Sequence, residues 1–335
     1  MPFRDVVGHG PLLQLIAQAV SRDTLPPSLG FVGPDGVGKQ LAAMALAQAQ
    51  NCLSLVQTRP FAIDACGECD SCKKIIRGSF SDLLLVETIE NKPISIDQIR
   101  QVVHQVAYRP FEGRRRVVVI KDADKMNTEA QSALLKTLEE PPDSSQFVII
   151  TSRPDLLLQT VRSRIQEMNF VHLSVDEVFQ VVRRLGVENA DAQLLAASGG
   201  SAGHAVALAS GELAVARDAA VRLMEQVAIA RDGRARLAAA QEFVGTKKKG
   251  QDVRRELIQR LRAMPSLLRD VALLWTGSER QAVVNADLVD SLVPLLDVFG
   301  GSRGVEAFDS VGRALDAVER HVNPKVVADW LACRL

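Results

Sequence analysis

Gly33-Pro34-Asp35-Gly36-Val37-Gly38-Lys39-Gln40 is the stretch on which the fold turns. It matches G-x-x-x-x-G-K at every fixed position. It then ends in glutamine, where Ser or Thr would offer a hydroxyl to Mg²⁺. Just before it, Leu29-Gly30-Phe31-Val32 is a short apolar run that predicts a strand. Just after it, residues 40–50 are rich in Ala and Leu and predict a helix. Strand, glycine loop and helix together make a phosphate cradle. Gly33, Gly36 and Gly38 let the backbone turn tightly, the helix N-terminus adds partial positive charge, and Lys39 reaches for the outer phosphates.

Outward from the loop, strands and helices alternate. Asp82-Leu83-Leu84-Leu85-Val86 predicts a buried strand, and Ser95-Ile96-Asp97-Gln98 has the spacing of a capping box that opens a helix to about Ala107. Val117-Val118-Val119-Ile120 is β-branched throughout and is the best candidate for a central strand. Asn127 is placed to cap a helix with Ala130, Leu134, Leu135 and Leu138 on one face, stopped by Pro141-Pro142. Phe147-Val148-Ile149-Ile150 is another buried strand. This alternation predicts an α/β fold with a mostly parallel sheet and helices on both faces.

After about residue 170 the strand signals stop. Ser174-Val175-Asp176-Glu177 is a second capping box, Gly186 closes its helix, and Gly199-Gly200-Ser201-Ala202-Gly203 is a turn. From about 211 onward the chain has helical spacing, interrupted by the basic loop Lys247-Lys248-Lys249. That loop is either a solvated connection or a phosphate-backbone contact.

The chain has 335 residues, 47% hydrophobic and 24% charged, and its 40 basic residues balance 40 acidic ones. Such a length predicts two or three domains. Zero net charge gives no global attraction to nucleic acid or membrane. Met1-Pro2-Phe3-Arg4-Asp5 lacks the order of a signal peptide, and no apolar run is long enough for a membrane helix, so a cytoplasmic protein is expected.

Four of the five cysteines lie at positions 52, 66, 69 and 72, in the spacing C-x₁₃-C-x₂-C-x₂-C. Cys66 and Cys69 can take two corners of a tetrahedron from one tight turn, Cys72 follows, and Cys52 returns across a loop. Four sulfurs leave no open position, so the pattern predicts a structural Zn²⁺ site that helps fold the insertion. Four unligated thiols are the plainer alternative. Cys333 stands alone and is expected to be a small buried apolar residue.

Four stretches carry a family resemblance: the loop 33–39, the cluster Cys66-Gly67-Glu68-Cys69-Asp70-Ser71-Cys72, the segment Ala133-Leu134-Leu135-Lys136-Thr137-Leu138-Glu139-Glu140-Pro141-Pro142, and Ser163-Arg164. Together they resemble the clamp-loader branch of the AAA+ ATPases, which agrees with zinc at the cysteines. The resemblance implies a AAA+ P-loop-type α/β domain over 1–170 with a zinc module at about 52–72. A small helical lid over 171–210 and a helical collar over 211–335 complete it. It implies a hetero-pentamer with other clamp-loader subunits, acting on a sliding clamp and primed DNA within DNA polymerase III, with no membrane partner.

The resemblance also assigns residues. Val7 and Gly8 lie where relatives contact adenine. Counted back from Ala133-Leu134-Leu135-Lys136, the acidic pair that binds Mg²⁺ and orients water falls on Lys121 and Asp122. A lysine in the first slot repels the metal. After the glycine turn, where relatives place an arginine, stands His204, a weaker anion partner or an ordinary surface histidine. Gln40, Lys121 and His204 together predict a defective ATPase site with ATP or ADP bound weakly or not at all. Ser163-Arg164-Ile165 resembles the S-R-C motif, whose arginine enters a neighbour's nucleotide site; Arg162 is the nearby alternative. An active ATPase motor of the same loader, or a zinc-dependent adaptor outside replication, are the competing readings.

Overall fold

The run Arg116–Ile120 forms β5, and all five of its residues are buried, as a strand covered on both faces requires. In the computed structural model it lies inside a five-stranded parallel sheet of order β4-β5-β6-β1-β7. The other strands are β1 (Ser28–Val32), β4 (Leu83–Val86), β6 (Ser145–Thr151) and β7 (Gln166–Asn169). The register pairs Val118 with Phe147 and Leu29 with Val148. All residues are described except 89–91, 187–194, 196–197, 210–211, 246–250, 278–282 and 321; the lysine run at 247–249 lies outside the described residues.

The pleat sorts β5 between two cores. Val117 and Val119 pack with Leu13, Ile16, Ala42 and Leu46, from α1 (Gly10–Ser21) and α2 (Lys39–Asn51). Val118 and Ile120 pack with Ile99, Val102, Ala130 and Leu134, from α4 (Ile96–Val106) and α5 (Thr128–Glu139). Helices therefore cover both faces, as the alternation predicts. Both helix starts behave as expected: Ser95 and Gln98 form a reciprocal capping box, and Asn127 Oδ1 accepts from Ala130 N at 2.8 Å. Helix α6 (Gln159–Arg162) is a single turn leading into β7.

Between α2 and β4 the chain makes an antiparallel hairpin, β2 (Val56–Thr58) and β3 (Phe61–Asp64), followed by α3 (Asp70–Ile76). Neither the hairpin nor β7 has a clear sequence signal. The strand Gln166-Glu167-Met168-Asn169 is polar because it lies at the sheet edge, with only Met168 buried.

The chain divides into two compact units, one of Met1–Leu185 with Gly200–Gly203, the other of Gly186–Gly199 with His204–Leu335. The first also contains α7 (Val175–Arg184), opened by a capping box between Ser174 and Glu177. The second is helical among the described residues, with α8 (Ala202–Ala209) crossing the division, then α9 (Glu212–Ile229), α10 (Gly233–Val244) and α11 (Gln251–Trp275). Short α12 (Val289–Leu292) and α13 (Leu296–Phe299) precede α14 (Gly301–Glu319) and α15 (Pro324–Arg334). Its core joins Leu223, Met224, Leu261, Leu267, Val311 and Leu331. Cys333 corrects an expectation: it is exposed. Helix α15 buries Val327, Ala328, Leu331 and Ala332, which turns position 333 outward. Among the described residues no helix is long and apolar enough to cross a membrane.

Candidate functional site

Strand β1 delivers the chain to the glycine loop, and the loop conformation is held by donors from the protein itself. Gly33, Gly36 and Gly38 have φ values of 151°, 74° and 102°, which a side chain rarely tolerates. A Cβ at Gly33 would lie 2.2 Å from Phe170 O, and one at Gly36 would lie 2.4 Å from Ser201 Oγ. Five consecutive carbonyls are engaged. Lys39 Nζ donates to Gly33 O and, at 2.6 Å, to Pro34 O. Ser201 Oγ donates to Asp35 O at 2.8 Å, Gly203 N to Gly36 O at 3.0 Å, and His9 Nε2 lies 2.9 Å from Val37 O. A phosphate cradle depends on fixed backbone N–H directions, and this bracing supplies the rigidity.

Lys39 opens α2 and is buried, with 6% exposure. Burial pulls its pKa down, while Asp35, Asp122 and Asp124 push it up. Asp124 escaped sequence reasoning. Its Oδ1 accepts from Thr151 Oγ1 at 2.7 Å, across the C-terminal ends of β5 and β6. The available signal was its place two residues beyond Asp122. Lys121, expected from the resemblance at the first acidic slot, pairs as a cation does: its Nζ lies 3.7 Å from Glu87 Oε2. Asp122 sits in the left-handed region at φ 50° and pairs with Lys125 Nζ at 3.0 Å. A non-glycine residue held there marks a locally strained strand end.

Val7 and Gly8 lie just before α1. Gly8 has φ 79°, and a Cβ there would meet Leu173 Cδ2 at 2.3 Å, so only glycine fits. His9, also missed from sequence, caps α1 at φ 54° and packs its ring on Phe170 at 4.7 Å between centroids. His204 begins the second unit and is half-buried rather than on the surface. Burial lowers its pKa, the Ser198 backbone opposes this, and Arg262 adds to it. The imidazole is therefore neutral at pH 7, not a substitute for arginine's charge.

The sulfurs of Cys52, Cys66, Cys69 and Cys72 all lie within 4.8 Å of one another. Cys52–Cys66, Cys52–Cys69 and Cys66–Cys72 are 3.5, 3.9 and 4.0 Å apart. A tetrahedron with metal–sulfur bonds of about 2.3 Å has edges of about 3.8 Å, so the spacing fits. Backbone N–H groups of Cys66 and Cys69 point at the sulfurs of Cys52 and Cys66, at 3.2 and 3.3 Å. Burial pushes the Cys52 and Cys72 thiols up. At Cys69 burial pushes the same way but is outweighed, chiefly by the N–H groups of Cys72 and Leu53, leaving its pKa at about 6. Four thiolates so close need a cation, and the cluster can hold a metal ion. Arg4 ties it to the N-terminal segment, donating to Ala65 O at 2.8 Å, Cys66 O at 3.0 Å and Asp64 Oδ2 at 3.1 Å.

Ser163 and Arg164 follow α6. Arg164 donates from Nε and Nη2 to Glu139 Oε1, the former at 2.9 Å, and from Nη1 to Thr160 O at 2.8 Å. Arg162 is held by Glu167 at 3.0 Å.

A family model described as DNA polymerase III, delta subunit matches residues 8–174. The chain belongs, through this half, to the clamp-loader family of AAA+ proteins. It is similar to DNA polymerase III subunit delta' of Pseudomonas aeruginosa, 39% identical over 173 residues, which cover 50% of this chain and 51% of that protein. It is also similar to subunit tau of Escherichia coli, 32% identical over 176 residues covering 52% and 26%, and to subunit tau/gamma of Haemophilus influenzae, 32% over 178 residues covering 53% and 25%. The matched segment thus spans between a quarter and about half of these relatives' lengths. The family segment contains the glycine loop, the cysteine cluster, the end of β5 and Arg164, while Val7 and His204 lie outside it.

Proposed function

We propose that this chain is a delta-prime-type subunit of the bacterial DNA polymerase III clamp loader. It helps open a sliding clamp and place it on primed DNA without hydrolysing nucleotide itself. On this reading residues 171–210 act as a lid, residues 211–335 form a collar, and the partners are the other subunits of a hetero-pentamer. The observation that carries it is Lys121, a cation paired with Glu87 at the strand end where a hydrolysing site needs a metal-binding carboxylate. Gln40 removes the hydroxyl contact on the other side.

In phosphoryl transfer, positioned charge and metal neutralisation carry nearly all of the rate enhancement. Loss of one such contact costs about 3–4 kcal/mol by analogy with an oxyanion-hole donor. Two losses leave little turnover, even if they are far from additive. The braced loop and Lys39 remain able to hold phosphate weakly, with no metal required. Cys52, Cys66, Cys69 and Cys72 fit Zn²⁺, which would supply folding energy and no open coordination position.

The residue with chemistry to offer is Arg164. Its planar, permanently charged guanidinium suits a phosphate in a neighbouring subunit's site, where it would stabilise charge on the transferring group. The purified chain should show no ATPase activity above background, unchanged by Lys39→Ala. Turnover abolished by that substitution would overturn the reading. In a reconstituted loader, Arg164→Ala should lower clamp- and DNA-stimulated ATPase by roughly 10³-fold at the site it serves. Unchanged activity would refute the role of this arginine.

A second reading, an active motor subunit of the same loader, draws on the tau and tau/gamma relatives at 32% identity. The same ATPase assay separates the two.

A further inference from the structure

We propose that Glu139 is an internal competitor for Arg164, a carboxylate that holds the arginine until a neighbour's phosphate displaces it. This rests on the reading of Arg164 as acting in a neighbouring site. The argument begins with donor counting. A guanidinium has five N–H groups in one plane. In Arg164, Nε and Nη2 each give one to Glu139 Oε1, and Nη1 gives one to Thr160 O and one to Ser163 Oγ, the last at 3.2 Å. Four of the five are taken, and a single N–H on Nη2 is left. A two-pronged grip on a phosphate needs two parallel N–H groups on one edge. Arg164 cannot make that grip while Glu139 keeps its Nε–Nη2 edge.

The place of Glu139 strengthens the case. It is the last residue of α5, where the helix dipole puts partial negative charge and disfavours a carboxylate. The two residues are 25 positions apart in sequence and meet only because β6 and α6 bring Arg164 back beside the end of α5. The contacts of Nη1 with Thr160 O and Ser163 Oγ would survive release of Glu139. They would keep the arginine anchored at Thr160 while its other edge turns to a new anion.

The clasp is weak enough to be displaced. Its side chains are 32% and 48% exposed, and an exposed ion pair contributes little. A phosphate carries more charge than a carboxylate and accepts the same fork. Removing the competitor should therefore have a bounded effect, no more than about fivefold.

The test uses the whole chain and the reconstituted loader, with Glu139→Gln, Arg164→Ala and the double variant. In the isolated chain, the Arg164 Nε–H NMR signal should exchange faster with water in Glu139→Gln, with the unfolding midpoint unchanged. In the loader, Glu139→Gln should raise the kcat/KM for ATP by about two- to fivefold, and the gain should vanish when Arg164→Ala is present. A kcat/KM unchanged by Glu139→Gln, alongside a large loss in Arg164→Ala, overturns the competitor and leaves the trans-acting arginine standing. A fall in kcat/KM with Glu139→Gln overturns it too, because Glu139 would then position the arginine for its task. Arg164→Ala without effect removes the trans-acting reading and the competitor with it.

Discussion

Asp82 shows how much one buried side chain can hold in place. It is fully buried at the start of β4, and its carboxylate accepts from the backbone N–H groups of Phe111, Glu112 and Gly113 at 2.9, 2.8 and 2.8 Å. Arg116 adds Nε and Nη2 at 3.1 and 2.8 Å. Burial alone would raise its pKa; the three N–H groups and Arg116 outweigh burial and hold it below the ordinary carboxylate value. The sign follows from linkage: a depressed folded pKa contributes stability above the unfolded value near 4, lost as pH falls through the folded one. Asp82→Ala leaves Arg116 buried without its partner and should cost about 3–5 kcal/mol in chemical denaturation at pH 7. The difference between the two proteins should shrink below about pH 4. A loss under about 1 kcal/mol at pH 7 would contradict this account. Glu139 and His9 make the same point on a smaller scale, because one holds Arg164 through a carboxylate and the other holds Val37 O of the glycine loop through a ring nitrogen.

At the scale of elements, the cysteine module and the N-terminal segment are wired together. The cluster around the sulfurs is small, with Cys52, Ala65 and Cys72 as its buried members and Cys66 and Cys69 packed against them. So small a core needs a staple, and a bound metal would supply it. Asp64, fully buried, accepts from Phe3 N at 2.8 Å, while Arg4 reaches the carbonyls of Ala65 and Cys66. Chelation of the purified protein should therefore release about one zinc per chain and raise amide exchange over residues 52–76 and 1–9. Strands β5 and β6 should stay protected. Uniform exchange before and after chelation, or no metal released, would count against a metal-stapled module. The braced glycine loop lies next in line, since His9 joins α1 to Val37.

At the scale of the molecule, each unit has a core of its own. The first closes around the sheet on both faces, the second around Leu261, Leu267, Val311 and Leu331 with no strand among its described residues. A fragment of residues 186–335 should keep helical circular dichroism and unfold cooperatively, because it has a hydrophobic core of its own. A fragment that is unfolded, or that unfolds without a transition, would show the second core to be incomplete. The balanced charge of 40 basic and 40 acidic residues gives no general pull toward DNA, so placement on DNA would come from the assembly rather than from this chain's overall field.

Much of this was legible in the order of residues. The central strands Val117–Ile120 and Phe147–Ile150 announce themselves because burial on both faces demands unbroken apolar runs. The capping residues Ser95, Asn127 and Ser174 do so because a helix start needs a local acceptor. The phosphate loop and the C-x₂-C-x₂-C cluster are close in sequence, so spacing alone carries their geometry. Polar edge strand β7 and the outward turn of Cys333 were not legible, since edge position and helix phase depend on what packs beside them. Nor were the clasp of Arg164 by Glu139, the bracing of Asp35, Gly36 and Val37 by Ser201, Gly203 and His9, or the reach of Asp124 to Thr151. Sequence by itself determined the central strands, the capped helices, the cradle and the thiolate set, because those depend on local spacing. Only the tertiary structure decided which groups hold them, because contacts between residues 25 to 167 positions apart exist only once the sheet has formed.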